Sequence, residues 1–208
     1  MDKIFSTDSK LFRGLEKAVN VVYLNVLWLI FSIPLITIGA STTAMFSVMM
    51  KMGRDREGYI FKDFWKSFNE NFKQATIIWG ILLFAGTLLV ADMYYFFTIA
   101  EWKNANYIGM IFLGVSVVFI LGVMYIFPLQ AQFHNKIKQT IKNAFFLASK
   151  HFGWSMLLLL IYLIMIFLVY LFWYVAGWCI IGICAYIAAC IYNKIFVKYI
   201  PEELRDEY

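Results

Sequence analysis

The chain has 208 residues, of which 62% are hydrophobic and only 15% are charged. A soluble domain usually has about 45–50% apolar residues and about a quarter charged ones, so this excess cannot be buried in one globular core. The composition excludes an ordinary soluble domain and predicts an all-α, polytopic membrane protein whose solvent is the lipid bilayer. The net charge of +5 does not indicate nucleic acid, because lysines and arginines lie between apolar runs, where they set membrane topology.

The first apolar region, residues 18–52, is interrupted by Pro34. A helix that crosses a bilayer needs about 20 mostly apolar residues, and proline breaks or kinks a helix because it has no N–H to donate. One interpretation is a single span at about 18–38 followed by a loop. The other is a pair of shorter helices, about 18–33 and 36–52, hinged at the proline.

The rest of the chain has four further apolar segments that are long enough to span a membrane. They are predicted at about 75–98, 106–128, 153–174 and 177–197. Residues 1–208 are therefore expected to form a single integral membrane domain.

The distribution of basic residues favours the two-helix interpretation of the first region. A single span would leave 13 of the 18 lysines and arginines on the cytoplasmic side, whereas two helices place 17 of 18 there. The positive-inside rule therefore favours six membrane segments (five remain possible) in three hairpins, with both termini cytoplasmic. The first pair is short for full spans, and a partly re-entrant hairpin is consistent with it.

Two cytoplasmic segments, 58–74 and 129–152, are predicted to be basic amphipathic helices at the membrane interface. Their patterns coincide when the segments are aligned with Lys62 on Lys142. Internal duplication explains this alignment, and so does the shared need of interfacial helices for a basic and an aromatic face. The side chains expected to contact lipid or a partner are Phe61, Trp65, Lys66, Phe68, Phe72, Lys73, Lys142, Phe145 and Lys150.

Polar or hinge residues within the apolar regions are the candidate site. They are Asn25, Pro34, Thr37, Gly39 and Asp92. Broken helices at membrane depth expose dipoles and carbonyls that transporters use for substrates, but a tight hairpin turn capped by Ser and Thr explains the break equally well. Asp92 could couple protons or cations, or it could simply reach the headgroups.

No catalytic, cofactor or metal site is predicted. The chain contains no Gly-x-Ser-x-Gly, phosphate-binding loop or His-Glu-x-x-His motif, so we expect a protein that is not an enzyme. His134 and His151 are several helical turns apart in the sequence and are not natural co-ligands. The three cysteines, all in the last apolar segment, are spaced too widely for a pair of ligands on one helix and are expected to be inert thiols.

One stretch of the sequence resembles the YesL-like family of bacterial integral membrane proteins, which carry a domain of unknown function. The residues that carry this resemblance are Asn25, Trp28, Phe31, Ser32, Pro34, Thr37, Gly39, Ala44, Glu57, Gly58, Tyr59, Phe64, Ser67, Phe68, Asn71, Phe72 and Lys73. The resemblance implies a plasma membrane protein of low-GC Gram-positive bacteria. Its relatives are often encoded beside binding-protein-dependent sugar transporters and polysaccharide-degrading enzymes.

The function that follows is a non-enzymatic accessory or transport-related component of carbohydrate uptake, with sugar-transporter subunits as possible partners. The alternative is a self-contained small-solute transporter with a polar site at the broken first hairpin.

Overall fold

The computed structural model describes residues 10–56, 58–100, 102, 104–172, 175–200 and 202. The described residues are predominantly helical, and none of them forms a strand. Seven α-helices follow one another along this part of the chain: α1 Lys10–Ser32, α2 Ile38–Met52, α3 Ile60–Tyr94, α4 Ala105–Gln132, α5 Ile137–Lys150, α6 Phe152–Leu171 and α7 Val175–Phe196.

Short irregular helical turns connect or extend these helices. They are the 3-10 turns Leu35–Thr37 and Val197–Tyr199 and the π-helical turn Tyr95–Ile99. Apart from α5, each long helix is, alone or with its adjoining turn, long and apolar enough to cross a membrane, which gives six candidate spans. The predicted class, an all-α polytopic membrane protein, is confirmed.

The interruption at Pro34 separates two helices, α1 and α2, rather than ending a single span. α1 begins at Lys10, earlier than the predicted residue 18. At the other end of the chain, α6 ends at Leu171 and α7 begins at Val175, two residues before the predicted start at 177, and residues 173–174 lie outside the described residues.

The two predicted amphipathic segments are built differently. Residues 58–74 and 75–98 were expected to be separate elements, but α3 runs unbroken from Ile60 to Tyr94, because no glycine or proline interrupts it between Ile60 and Trp79. Residues 129–152 instead divide between the end of α4 and the separate helix α5. A second break, at His151, separates α5 from α6.

The buried core lies at one end of the helical bundle. In α3 the buried residues run from Phe64 to Leu82, and none follows in the helix. The second half of α3 is instead paired with α4, where the Ser116 hydroxyl lies 3.4 Å from the sulfur of Met93. Its outer surface is apolar, with Phe84 69% exposed. Such a contiguous apolar surface requires lipid or a partner to cover it.

The first hairpin, formed by α1 and α2, packs beside the part of α3 between Asp63 and Trp79. The Lys51 ammonium lies 3.3 Å from the Asp63 carboxylate at one end. At the other end, the Trp79 indole N–H donates to the Leu35 carbonyl oxygen at 2.9 Å. From Trp79, α3 continues to Tyr94, which is a further length of about 22 Å at about 1.5 Å per residue. The hairpin therefore ends well short of the far end of α3.

The alignment that places Lys62 on Lys142 also matches the buried positions of the two amphipathic segments and of the helices that follow them. Buried Phe64, Ser67, Phe68, Ala75 and Ile78 correspond to buried Ala144, Leu147, Ala148, Ser155 and Leu158. The last residues of α2 and α4, Met52 and Gln132, are matched in the same register. Shared composition does not fix the phase of two helices, so this agreement supports internal duplication. We refer to the segment 53–82 as the first repeat and to 133–162 as the second.

Candidate functional sites

Several polar side chains of the Pro34 break are hydrogen-bonded within the hairpin, whereas the buried Ser32 hydroxyl has no partner among the described residues. The Thr37 hydroxyl lies 2.6 Å from the carbonyl oxygens of both Phe31 and Pro34. The Ser41 hydroxyl donates to the Trp28 carbonyl at 3.0 Å, and the Trp28 indole donates to the Thr42 hydroxyl at 3.0 Å. The bond to Phe31 satisfies one of the carbonyls that the end of α1 leaves without a helical partner. The break is therefore built as a tight turn.

Gly39 follows this turn at a point where α2 touches α3 closely. A Cβ at this position would lie 2.6 Å from the Ala75 carbonyl oxygen and 2.8 Å from the Trp79 Cβ. Real Cβ atoms do not approach backbone oxygens so closely, so the position requires a residue without a side chain. Gly39 was predicted as part of a polar or hinge site, and the structure shows close packing against α3 at this position.

The other two candidate residues lie apart from the break. Asn25 is buried on α1, and its Cβ is 3.1 Å from the position that a Cβ of Gly182 on α7 would take. Asp92 is half-buried near the end of α3, beyond Trp79 by about 20 Å along the helix. The structure therefore does not bring Asp92 together with the Pro34 break.

The first half of α3 carries an exposed aromatic and basic face. Phe64 and Phe68 are buried, and both rings pack on Phe31 of α1 at centroid distances of 5.4 and 5.2 Å. The neighbouring Phe61 and Trp65 are half exposed. We define the α3 face as the exposed side chains Phe61, Trp65, Lys66, Phe72 and Lys73. Of the predicted contact residues on this helix, only Phe68 points into the core instead.

On α5 the predicted contact residues divide between core and surface. Lys142 and Lys150 are exposed, as expected of contact residues. Phe145 is half-buried, and its ring fills the space beside Gly122 of α4, where a Cβ would clash with it. Its neighbour Phe146 is exposed instead. The exposed aromatic side chain of α5 is therefore Phe146, one position after the predicted contact residue Phe145.

A small cluster of polar and charged groups joins the end of α5 to the turn after α7. The His151 Nε2 and Tyr199 hydroxyl are hydrogen-bonded at 2.9 Å, and the Lys150 ammonium lies 5.1 Å from the centre of the Tyr199 ring. Desolvation, together with the charges of Lys198 and Lys150, lowers the pKa of His151 below its usual 6.5. Nothing in the sequence near His151 indicates this contact, because its partner Tyr199 is distant in the chain.

Two neighbouring glutamines at the end of α4 have contrasting environments that the sequence did not reveal. The side-chain oxygen of Gln132 accepts a hydrogen bond from Arg54 at 2.7 Å. Both amide atoms of buried Gln130 lack a hydrogen-bond partner among the residues that the structure describes. A buried amide without a hydrogen bond is energetically costly, so Gln130 is expected to destabilise the core.

Cys179, Cys184 and Cys190 are free thiols, and Cys184 is buried. Among the described residues, no group of three or more His, Cys, Asp or Glu side chains comes together to hold a metal ion.

Taken together, the helices, their apolar outer surfaces and the tightly packed first hairpin define a multi-pass α-helical membrane protein. Residues 21–93, which include that hairpin and nearly all of α3, match the family model described as "Protein of unknown function, DUF624". Over this segment the chain is similar to the DUF624 family, and the segment contains the residues that carry the resemblance to YesL-like proteins.

Three proteins of Bacillus subtilis (strain 168), all described as uncharacterized, are similar to the chain. YesL is 30% identical over 134 residues, which are 62% of each protein. YesV is 29% identical over 141 residues, or 64% of this chain and 66% of YesV. YteU is 21% identical over 154 residues, or 72% of this chain and 68% of YteU. The match thus spans less than two thirds of YesL and of YesV. No solved structure was found to match the chain.

Proposed function

We propose that this protein is a non-enzymatic accessory or transport-related component of the bacterial plasma membrane, associated with carbohydrate uptake. The link to carbohydrate follows from the resemblance to the YesL-like family, whose members are often encoded beside sugar transporters. Both termini are placed in the cytoplasm, because this orientation puts 17 of the 18 basic residues on the inner side.

The α3 face is the observation that carries this proposal. Phe61, Trp65 and Phe72 are 50%, 44% and 40% exposed, although each is a large apolar side chain. The Trp65 ring is held in place by the core, since it stacks on the buried Phe68 ring with the two ring centres 5.9 Å apart. Rigid exposed aromatics beside basic side chains are typical of the residues that dominate protein–protein interfaces. This face therefore suits a cytoplasmic subunit of a transporter.

The structure of the Pro34 break favours the accessory role over a self-contained transporter. Thr37 and Ser41 direct their hydroxyls to backbone carbonyls of the same hairpin, and Gly39 leaves no room for a methyl group. A substrate site at this break would have to displace these contacts. We therefore place the functional surface on α3.

Co-purification after mild solubilisation tests the proposal. The full chain is isolated from its native bacterium, and the permease and ATPase subunits of sugar transporters are identified by mass spectrometry. We expect them to be recovered with the unmodified protein and lost with the double variant Trp65→Ala/Lys66→Gln. The matched control is Phe146→Ala/Lys142→Gln, which removes one exposed aromatic ring and one exposed lysine from α5, and it should retain the partner.

Two results would count against the accessory role. Consistent absence of transporter subunits, together with solute flux when the purified chain is placed in liposomes, would support the self-contained transporter. Equal loss of the partner in both double variants would instead indicate a general defect in folding, which the thermal unfolding of each variant in detergent would reveal.

A further inference from the structure

We propose that α5, together with Tyr199 and the end of α4, holds one anionic phospholipid. Its phosphate lies among the lysines at the start of α5, and one acyl chain lies in the adjoining apolar slot. This site is separate from the α3 face and does not depend on the function proposed for that face.

Two adjoining cavities provide the space. The apolar slot, of about 290 Å³, lies between the end of α4, α5 and the turn after α7, and its apolar walls are Leu129, Phe133, Phe146, Leu147 and Tyr199. The basic cleft, of about 440 Å³, is lined by Lys136, Lys138, Gln139, Lys142 and Asn143. Asn143 lines both cavities, so a charged cleft opens beside an apolar one. A molecule that fills both has an anionic head and an apolar tail.

The charge of this region is explained by comparing the two repeats. Residues 53–74 contain five basic and four acidic side chains, whereas residues 133–154 contain four basic and none that is acidic. The acids of the first repeat have uncharged or basic counterparts in the second. Asp55, Asp63 and Glu70 correspond to Asn135, Asn143 and Lys150.

The acidic side chains of the first repeat neutralise lysines within the protein. Lys17 is paired with Asp55, and Lys51 is paired with Asp63 at 3.3 Å. At the corresponding positions of the second repeat, Asn135 and Asn143 carry amide groups, which can donate hydrogen bonds to an anion but cannot balance a charge. From Trp102 to Pro201 the sequence has no Asp or Glu at all. None of the residues that line the basic cleft is acidic, so the cleft is complementary to a bound anion.

The position and lining of the slot favour a lipid over a soluble anion or an acidic protein. α5 connects α4 to α6, both of which are candidate membrane spans, so the slot lies where the helices leave the apolar region. Phe146 is 56% exposed at its rim, and the Lys150 ammonium lies 5.6 Å from the centre of the Phe146 ring. Basic residues at such a boundary attract anionic headgroups, and the aromatic rim offers a surface for an acyl chain.

Native mass spectrometry of the full chain in detergent measures this binding directly. The chain is titrated with phosphatidylglycerol and, separately, with phosphatidylcholine of the same acyl chains. We expect phosphatidylglycerol to bind at least tenfold more tightly. The double variant Lys138→Gln/Lys142→Gln should weaken its binding about tenfold or more, because two of the headgroup's cationic partners are removed.

The matched control is Lys62→Gln/Lys66→Gln, which removes two charges from the equivalent helix of the first repeat and should change the affinity by less than about twofold. A second variant, Phe146→Ser, should weaken binding of phosphatidylglycerol but leave binding of glycerol phosphate, which has no acyl chain, unchanged. All four lysines and Phe146 are exposed, so these changes do not disturb the core.

Several outcomes would overturn the proposal. Equal loss of affinity in both lysine double variants would mean diffuse attraction rather than a site, and equal binding of the two lipids would mean no selection for charge. Glycerol phosphate binding as tightly as the lipid would define a site for a free anion. Full lipid affinity in Lys138→Gln/Lys142→Gln, combined with loss of a co-purified protein, would assign the surface to that protein.

Discussion

Gly39 and Ala75 are packed so closely that a methyl group added to the glycine would come within 2.6 Å of the alanine carbonyl oxygen. This contact seats the first hairpin on α3 and fixes the position of the Pro34 turn. Trp79, one helical turn further along α3, closes the same contact by donating to Leu35. The hairpin and the first half of α3 are therefore expected to behave as one structural unit.

Replacing Gly39 by alanine should destabilise the protein. The added methyl group meets backbone rather than a flexible side chain, and overpacking of this kind costs about 1–3 kcal/mol. Thermal unfolding in detergent measures the loss. Gly80→Ala is the control, because a Cβ there meets nothing within 4 Å, and it should be neutral or slightly stabilising. If both variants unfolded at the same temperature, the proposed close contact would be wrong.

Replacing Gln130 by leucine should stabilise the protein by about 1–3 kcal/mol, because the buried amide has no hydrogen-bond partner among the described residues. Gln132→Leu provides the contrast. It removes the acceptor of the Arg54 hydrogen bond and should lower stability instead. Unfolding curves of the two variants, recorded side by side, give the sign of each effect. A marked loss of stability in Gln130→Leu would show that the Gln130 amide is hydrogen-bonded in the folded protein.

The first hairpin should not reach the outer surface of the membrane. Its turn lies beside Trp79, about 22 Å short of the end of α3. In a chain whose natural cysteines are replaced by alanine, Ile36→Cys should resist a membrane-impermeant maleimide added to intact cells. Asn104→Cys, in the exposed connection between α3 and α4, should react.

The same labelling tests the orientation of the chain. Lys138→Cys should react only after the cells are permeabilised, because it is placed on the cytoplasmic side. Reaction of Ile36→Cys and Asn104→Cys at equal rates would mean that α1 and α2 cross the whole membrane. Reaction of Lys138→Cys in intact cells would reverse the proposed topology.

The pKa of His151 should lie below the usual value for histidine. Its pKa is lowered by desolvation and by the charges of Lys198 and Lys150, and its ring is hydrogen-bonded to the Tyr199 hydroxyl. The neutral form is thus favoured in the folded state. Its contribution to stability is complete above about pH 6.5, the value for an unperturbed histidine, and is lost as the pH falls towards the lowered pKa.

An NMR titration of the two histidines measures this shift, with His134→Asn used for assignment. Lys198→Gln removes one of the two repelling charges and should raise the pKa of His151. A pKa at or above the usual histidine value in the unmodified chain would contradict the described environment.

Hydropathy and charge were sufficient to predict the helical class and the number of apolar segments, since both depend on local composition. They also identified the break at Pro34, because proline has a fixed local effect. The continuity of α3 was missed because the change from amphipathic to apolar sequence at Ala75 resembles a boundary. No glycine or proline lies between Ile60 and Trp79, however, so nothing in the backbone ends the helix at that change.

The contacts between distant segments could not be predicted. Nothing local to Gly39 indicates that Ala75 faces it, and nothing local to His151 indicates Tyr199. The exposure of Phe146 in place of Phe145 depends on a ring filling the space beside Gly122, which is a property of the neighbouring helix. In contrast, the correspondence of the two amphipathic segments was visible in the sequence, and the burial pattern then gave it a structural meaning.

The two repeats differ in continuity as well as in charge. α3 runs unbroken from the exposed aromatic face to Tyr94, so its two halves share one axis. In the second repeat the chain breaks at His151, and α5 and α6 are separate helices. The Ser155 hydroxyl of α6 donates to the Ala148 carbonyl of α5 at 2.8 Å and bridges this break. The same burial pattern is thus carried by one helix in the first repeat and by two in the second.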